Sequence, residues 1–144
     1  MPRLYREAPL YSIWEGSGNV ICLDVLRSLA KEPAALEALI VEMRVGVSND
    51  KRLDAYVSEV ESSLRMHARQ VAEGSGSESQ WEARRLSEKA AIALQASLLR
   101  RHAPTEIADT FCQTRLHGDY GHTFGTLPKG TAAHAILDRF CKNL

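Results

Sequence analysis

The chain has 144 residues, of which 44% are hydrophobic and 25% charged, and its 18 basic side chains balance its 18 acidic ones. This length and composition predict a single domain, residues 1–144, with a sizeable core. The zero net charge excludes the broad basic field that marks a strong nucleic-acid binder.

No stretch resembles a signal peptide, and no apolar run approaches the ~18 residues that cross a bilayer. The three cysteines are widely spaced and odd in number: Cys22, Cys112 and Cys141. Such cysteines are typical of free thiols in a reducing compartment. We therefore expect a cytoplasmic protein with no membrane partner.

In the opening stretch, residues 6–27, an apolar run is followed by one carboxylate and then by a glycine-rich turn. The central residues are, in order, Trp14, Glu15, Gly16, Ser17 and Gly18. Ser17 fits the N-cap of a following helix. Free backbone amides at a helix start can bind an anion, and Glu15 lies just outside them. The alternative is a capped helix in which Trp14 fills a core and Glu15 faces solvent.

Apolar residues at helical spacing predict an all-α bundle of about six helices, with no convincing strand. We expect helices over about residues 18–31, 33–45, 50–73, 79–102, 104–116 and 131–142. Expected inward-facing residues are Ile21, Val25, Leu26, Leu29, Leu36, Leu39, Ile40, Met43, Leu53, Val57, Val60, Leu64, His67, Val71, Leu86, Ala90, Ala93, Leu94, Leu98, Ile107, Ala108, Phe111, Leu116, Ala135, Ile136 and Phe140.

Caps and breakers set the limits of these helices. Asp50 is expected to cap the third helix. The residues from Ser79 to Glu82 match a capping box and predict the start of the fourth helix. The Gly-Ser run at 74–77 is a flexible link between two antiparallel helices. Residues 117–130 contain four glycines and no helical period, which predicts an ordered loop pinned by Tyr120 and Phe124.

Residues 13–19, Ile-Trp-Glu-Gly-Ser-Gly-Asn, closely resemble the acyl-CoA dehydrogenase signature of an aromatic residue followed by Glu-Gly-Thr. With residues 22–27 they resemble the AidB-like branch of that family, proteins of the DNA alkylation response. Residues 1–31 carry this match, whereas residues 32–144 share only length and helical content. The resemblance implies a fold like the C-terminal helical domain of the family.

The same resemblance implies roles for the opening residues. Glu15 matches the base that removes the α-proton of an acyl-CoA thioester while FAD takes the β-hydride. Trp14, Gly16, Ser17 and Gly18 match positions beside the flavin or the acyl-CoA. The family also uses a β-domain and preceding helices, which these residues do not supply. We therefore expect a C-terminal piece that is inactive alone, needs upstream flavin-binding domains or a separate subunit, and forms homo-oligomers.

Basic side chains are the candidates for a second partner, because the resemblance also implies contact with duplex DNA without sequence preference. The candidates are Arg27, Arg85 and Lys89. The alternative is a solvated face with local ion pairs. Residues 32–64 carry three basic and seven acidic side chains, and residues 65–102 carry seven basic and four acidic ones. This asymmetry fits either an oriented partner or two helices that attract each other.

The late part of the chain collects metal-binding residue types without the spacing of a metal site. These residues are Cys112, His117, Asp119, His122, His134 and Cys141. Zinc sites need tight pairs of ligands, so no metal site is expected. A cysteine–histidine nucleophilic pair remains a possible alternative to a metal site, although no thiol is marked as activated.

The alternative to a piece of a flavoprotein is a stand-alone helical module for oligomerisation or interaction.

Overall fold

A computed structural model describes residues 2–14, 17–47, 50–74, 80–121, 123 and 125–142. Within these ranges the chain forms helices and no strand, which confirms the all-α prediction. The α-helices of the described residues are α1 (Pro2–Glu7), α2 (Gly18–Lys31), α3 (Pro33–Val45), α4 (Lys51–Ala72), α5 (Ala83–His102), α6 (Thr105–Phe111) and α7 (Ala133–Lys142). In the described part of the chain, no helix combines the length and apolarity needed to cross a membrane.

Helices α2, α3, α4 and α5 pack against one another as a four-helix bundle. Each contributes an apolar stripe, because its hydrophobic residues recur every three or four positions. The most deeply buried of these side chains are Leu26, Met43, Leu53, Val57, Val60 and Leu64. Helix α6 and the π-helical turn that continues it, Cys112–Leu116, close one end of the bundle against α4 and α5.

Small residues let α5 approach the end of α3 closely. The buried Ser97 hydroxyl donates to the carbonyl oxygen of Glu42 at 2.9 Å and accepts from the Gly46 amide at 3.1 Å. A Cβ atom at position 46 would come within 2.5 Å of the Ser97 carbonyl oxygen. Only glycine fits there without moving the backbone.

A charged cluster ties the start of α4 to the end of α5 and to α6. Asp50 caps α4 as expected, because its carboxylate accepts from the amides of Arg52 and Leu53. The Arg52 guanidinium contacts the same carboxylate at 2.8 Å, and Arg100 pairs with both Asp50 and Asp109. We define Asp50, Arg52, Arg100 and Asp109 as the charged cluster.

Ion pairs between helices account for the uneven charge along the chain. Glu59 on α4 pairs with Lys89 on α5, Glu42 on α3 pairs with Arg101 on α5, and Glu37 on α3 pairs with Arg65 on α4. The acidic and basic segments thus attract each other within the bundle. This observation favours the internal explanation of the asymmetry.

His67, one of the residues of α4 that were expected to face inward, is a core residue. His67 is 7% exposed and forms a hydrogen bond with the backbone of Leu26. Burial lowers the pKa of its imidazole, because desolvation disfavours the charged ring. The prediction that His67 faces inward is confirmed.

Several predicted boundaries and inward-facing residues are wrong. Helix α1 was not expected, and α5 begins at Ala83 after a 3₁₀ turn, Gln80–Glu82, rather than at the capping box. Ser79, the expected cap, lies outside the described residues. Expected core residues that are instead substantially exposed are Ile21, Val25, Val71, Leu98, Ala135 and Phe140. The last two are exposed because α7 packs chiefly on α6, away from the bundle core.

We expect the charged cluster to make stability fall in acid. Hydrogen bonds from Arg52 hold the pKa of the Asp50 carboxyl far below its ordinary value. The stabilisation is therefore complete above the unfolded pKa of about 4 and is lost as the pH falls below it. At pH 7, Asp50→Asn should lower the free energy of unfolding by about 1–3 kcal/mol. Between pH 7 and pH 3, the free energy of unfolding should fall less in Asp50→Asn than in the wild type.

Urea unfolding at pH 7, 4 and 3 measures this difference. Asp138→Asn is the matched control, since Asp138 is exposed on α7. The pKa values of Glu37 and Glu61 are also lowered by arginine partners, and these carboxylates remain in both variants. Identical pH profiles for the wild type and Asp50→Asn would contradict the assignment.

Candidate functional site

The glycine-rich turn leads into α2 with an open helix start. Ser17 has extended backbone angles, φ −69° and ψ 155°, and occupies the N-cap position. Its carbonyl oxygen accepts from the Ile21 amide at 3.1 Å, but its side chain makes no capping hydrogen bond. Because the first turn of a helix has unpaired amides, Gly18 and Asn19 begin a positive helix end that lacks a side-chain cap. Glu15 and Gly16 lie outside the described residues.

Trp14 lies on the surface beside this turn rather than in the core. Its amide donates to the Leu10 carbonyl oxygen at 2.8 Å, which holds it at the end of the 3₁₀ helix Ala8–Ser12. Its side chain is 66% exposed. The alternative in which Trp14 fills a core is therefore wrong. The indole instead lines an open cavity of about 410 Å³ together with Glu7, Leu10, Tyr11 and Ile21.

A second cavity of about 500 Å³ lies on the other side of the start of α2. Asn19, Cys22 and Trp81 are among its lining residues. The Arg84 guanidinium reaches across from α5 and donates to the Asn19 side-chain oxygen at 2.5 Å. It also lies within 2.9 Å of where a Cβ atom on Gly18 would be. The sequence did not indicate this contact, since 65 residues separate the two partners.

Apolar side chains continue from the 3₁₀ helix along the outer face of α2. We define the apolar surface as Leu10, Tyr11, Ile13, Trp14, Val20, Ile21, Leu23 and Val25, each of which is at least 38% exposed. Large contiguous apolar patches are uncommon on the surfaces of soluble monomers and commonly mark interaction sites. Leu26, one position further along α2, is 2% exposed and faces the core.

The three candidate nucleic-acid residues differ in their partners. Arg27 pairs with Asp24 within α2, and Lys89 pairs with Glu59 across the bundle. Arg85 is exposed on α5, and no ion pair to it is found within the described ranges. The three side chains therefore do not offer equal charge to a phosphate.

The described members of the late set of histidines and cysteines are not gathered at one point. Across the described residues, no group of three or more His, Cys, Asp or Glu side chains is close enough to hold a metal ion. Cys112 is fully buried, and burial raises the pKa of its thiol, so it is not an activated nucleophile. Cys141 and His117 are exposed. His122 lies outside the described residues.

Comparison with known proteins gives one informative relative. Over 72 residues, 49% of this chain, the sequence is 47% identical to the protein named "Putative acyl-CoA dehydrogenase AidB" from Escherichia coli (strain K12). The resemblance to the AidB-like branch is thereby confirmed for half of the chain. The matched segment covers 13% of that relative. No family model and no solved structure matches.

Because Trp14 is exposed, we expect its replacement to leave the fold intact. Trp14→Phe should change the free energy of unfolding by less than about 0.5 kcal/mol, as is usual for surface positions. Leu26→Ala, at a core position of α2, is the contrasting variant and should cost about 2–5 kcal/mol. Urea unfolding compares the two. A cost above about 1 kcal/mol for Trp14→Phe would place this indole in the core.

Proposed function

We propose that this chain is the C-terminal helical segment of an acyl-CoA dehydrogenase-like flavoprotein and supplies one wall of its active site. The observation that carries the proposal is the exposure of Trp14 beside the uncapped start of α2 at Ser17. In the sequence of the family motif, these two residues flank Glu15. The 47% identity to AidB supports the same family over half of the chain.

In this proposal Glu15 removes the α-proton of an acyl thioester. FAD, when bound, supplies the acceptor for the β-hydride. Trp14, Gly16, Ser17 and Gly18 line the flavin or acyl-CoA side of the pocket. The features of the described chain fit such a cofactor, because an uncapped helix start favours an anionic group and an exposed indole favours an aromatic one.

The other walls of the pocket come from a different part of the assembly. Upstream flavin-binding domains, or a separate subunit that carries them, would cover the apolar surface. Covering it removes from water side chains that are costly to leave exposed. Alone, the chain is catalytically silent and self-associates through the same surface. An oligomerisation module without catalysis is the alternative, and it uses the same surface.

The test is a chimera in which this chain replaces the matched segment of Escherichia coli AidB. We expect the purified chimera to keep flavin absorbance and to show bleaching when acyl-CoA is added. Glu15→Gln should keep the flavin but slow bleaching by roughly a hundredfold or more, because it removes the general base. Glu32→Gln, a change at an exposed carboxylate between α2 and α3, is the control. Normal bleaching in Glu15→Gln would refute the catalytic assignment.

A DNA role for the helical remainder is part of the same proposal. Arg85 supports it, because its guanidinium is exposed and forms no ion pair in the described chain. It can therefore contact a phosphate without first breaking an ion pair. Arg27 and Lys89 would first have to leave Asp24 and Glu59. Contacts of this kind are expected to be weak and independent of base sequence.

We expect the chain to bind any short duplex at low salt, with affinity falling steeply as salt rises. Arg85→Gln should weaken binding more than Lys89→Gln, because the lysine is already paired. Fluorescence anisotropy with a labelled duplex at two salt concentrations measures both effects. An affinity that is the same at both concentrations, or an equal loss in the two variants, would rule out this role for Arg85.

A further inference from the structure

The glycine-rich loop after α6 forms a cavity that the proposed function does not use. Described residues of this loop, among 117–121, 123 and 125–130, lie against the π-helical turn Cys112–Leu116 and line with it a cavity of about 380 Å³. This volume falls within the range of small-molecule sites. π-Helical turns are rare and recur at functional sites, because they redirect the side chains that follow them.

Arg115 gives this cavity its charge. The π turn places its guanidinium over the Tyr120 ring, 5.1 Å from the ring centroid. Of the described residues that line the cavity, Arg115 is the charged one, and it forms no ion pair with a carboxylate in the described chain. The nearby carboxylate Asp119 instead accepts from the Gln113 side chain at 3.1 Å. The cavity therefore favours an anion.

The loop adds backbone amides to the residues that line the cavity. The Thr126 hydroxyl accepts from the Gly121 amide at 3.0 Å and donates to the Thr123 carbonyl oxygen at 2.8 Å, which fixes the turn. Gly125 has a φ of +82°, a conformation that favours glycine. The amides of Gly125 and Leu127, which also line the cavity, donate no hydrogen bond to any described partner. Unpaired amides around a left-handed residue form anion-binding concavities.

We propose that this cavity binds the phosphate group of a small molecule. The Arg115 guanidinium supplies the charge, and the Gly125 and Leu127 amides supply the neutral donors. Arginine suits this role, since its planar fork matches two phosphate oxygens. The residues involved are separate from the opening motif and from α2, so the site does not depend on the flavoprotein assignment.

The test is an NMR titration of the ¹⁵N-labelled full chain with sodium phosphate, with sodium chloride at equal ionic strength as the blank. We expect saturable shifts at the Gly125 and Leu127 amides with phosphate only. Arg115→Gln should weaken binding roughly tenfold or more, because it removes a charge-assisted hydrogen bond, and Arg115→Lys should restore part of the affinity. Arg69→Gln, a change at an exposed arginine of α4, is the matched control.

Adenosine monophosphate in a parallel titration distinguishes the source of the phosphate. Affinity equal to that of free phosphate would show that the phosphate group alone is recognised, and tighter binding would show that a nucleoside is also held. Either result supports the site. The proposal is overturned if the shifts do not saturate, if chloride reproduces them, or if Arg115→Gln binds as the wild type does in a sample whose spectrum shows an intact fold.

Discussion

The bundle depends on the charged cluster at its closed end, where one buried carboxylate serves three elements. Asp50 caps α4 through two backbone amides, and it also receives Arg52 from the same helix and Arg100 from α5. Arg100 extends the connection to Asp109 on α6. A carboxylate that is 7% exposed would be costly if it were unpaired, so these partners are required together. This one residue therefore fixes where α4 starts and how α5 and α6 are placed beside it.

With that end fixed, the four helices can place α2 so that it is buried on one side only. Leu26 packs into the core, whereas Val20, Ile21, Leu23 and Val25 remain open to solvent. Ile21 lines one cavity with Leu10 and Tyr11 of the 3₁₀ helix and with Trp14 just after it, so Trp14 and the apolar surface lie in one region of the molecule. The proposed active-site wall and the proposed subunit contact are consequently the same surface. A partner that covers it completes the pocket and removes the exposed apolar area in one step.

The helices of the bundle could be predicted from sequence because their signals are local. The spacing of Leu53, Val57, Val60 and Leu64 predicted α4, and the cap at Asp50 predicted where it starts.

The errors occurred where a residue's environment depends on distant elements. Ile21 and Val25 have the right spacing for a core, but no helix of the described chain covers them. Phe140 fits an inward-facing pattern on α7, yet α7 lies away from the bundle. The contact between Arg84 and Asn19 joins residues 65 positions apart, and no local pattern indicates it. The motif at residues 13–19 was found by resemblance, and its central carboxylate lies outside the described residues.

The π-helical turn Cys112–Leu116 has a consequence for the way this end of the chain tolerates change in length. Such a turn holds one residue more than an α-helical turn. Loss of one of its five residues would allow regular α-helical winding, in which successive residues are about 100° apart around the helix axis, so the side chains that remain in the turn would change direction. Arg115 would then leave its place over the Tyr120 ring. A single-codon deletion in this turn would therefore move Arg115 away from the following loop, whereas the buried Cys112 and Thr114 limit which substitutions the turn accepts.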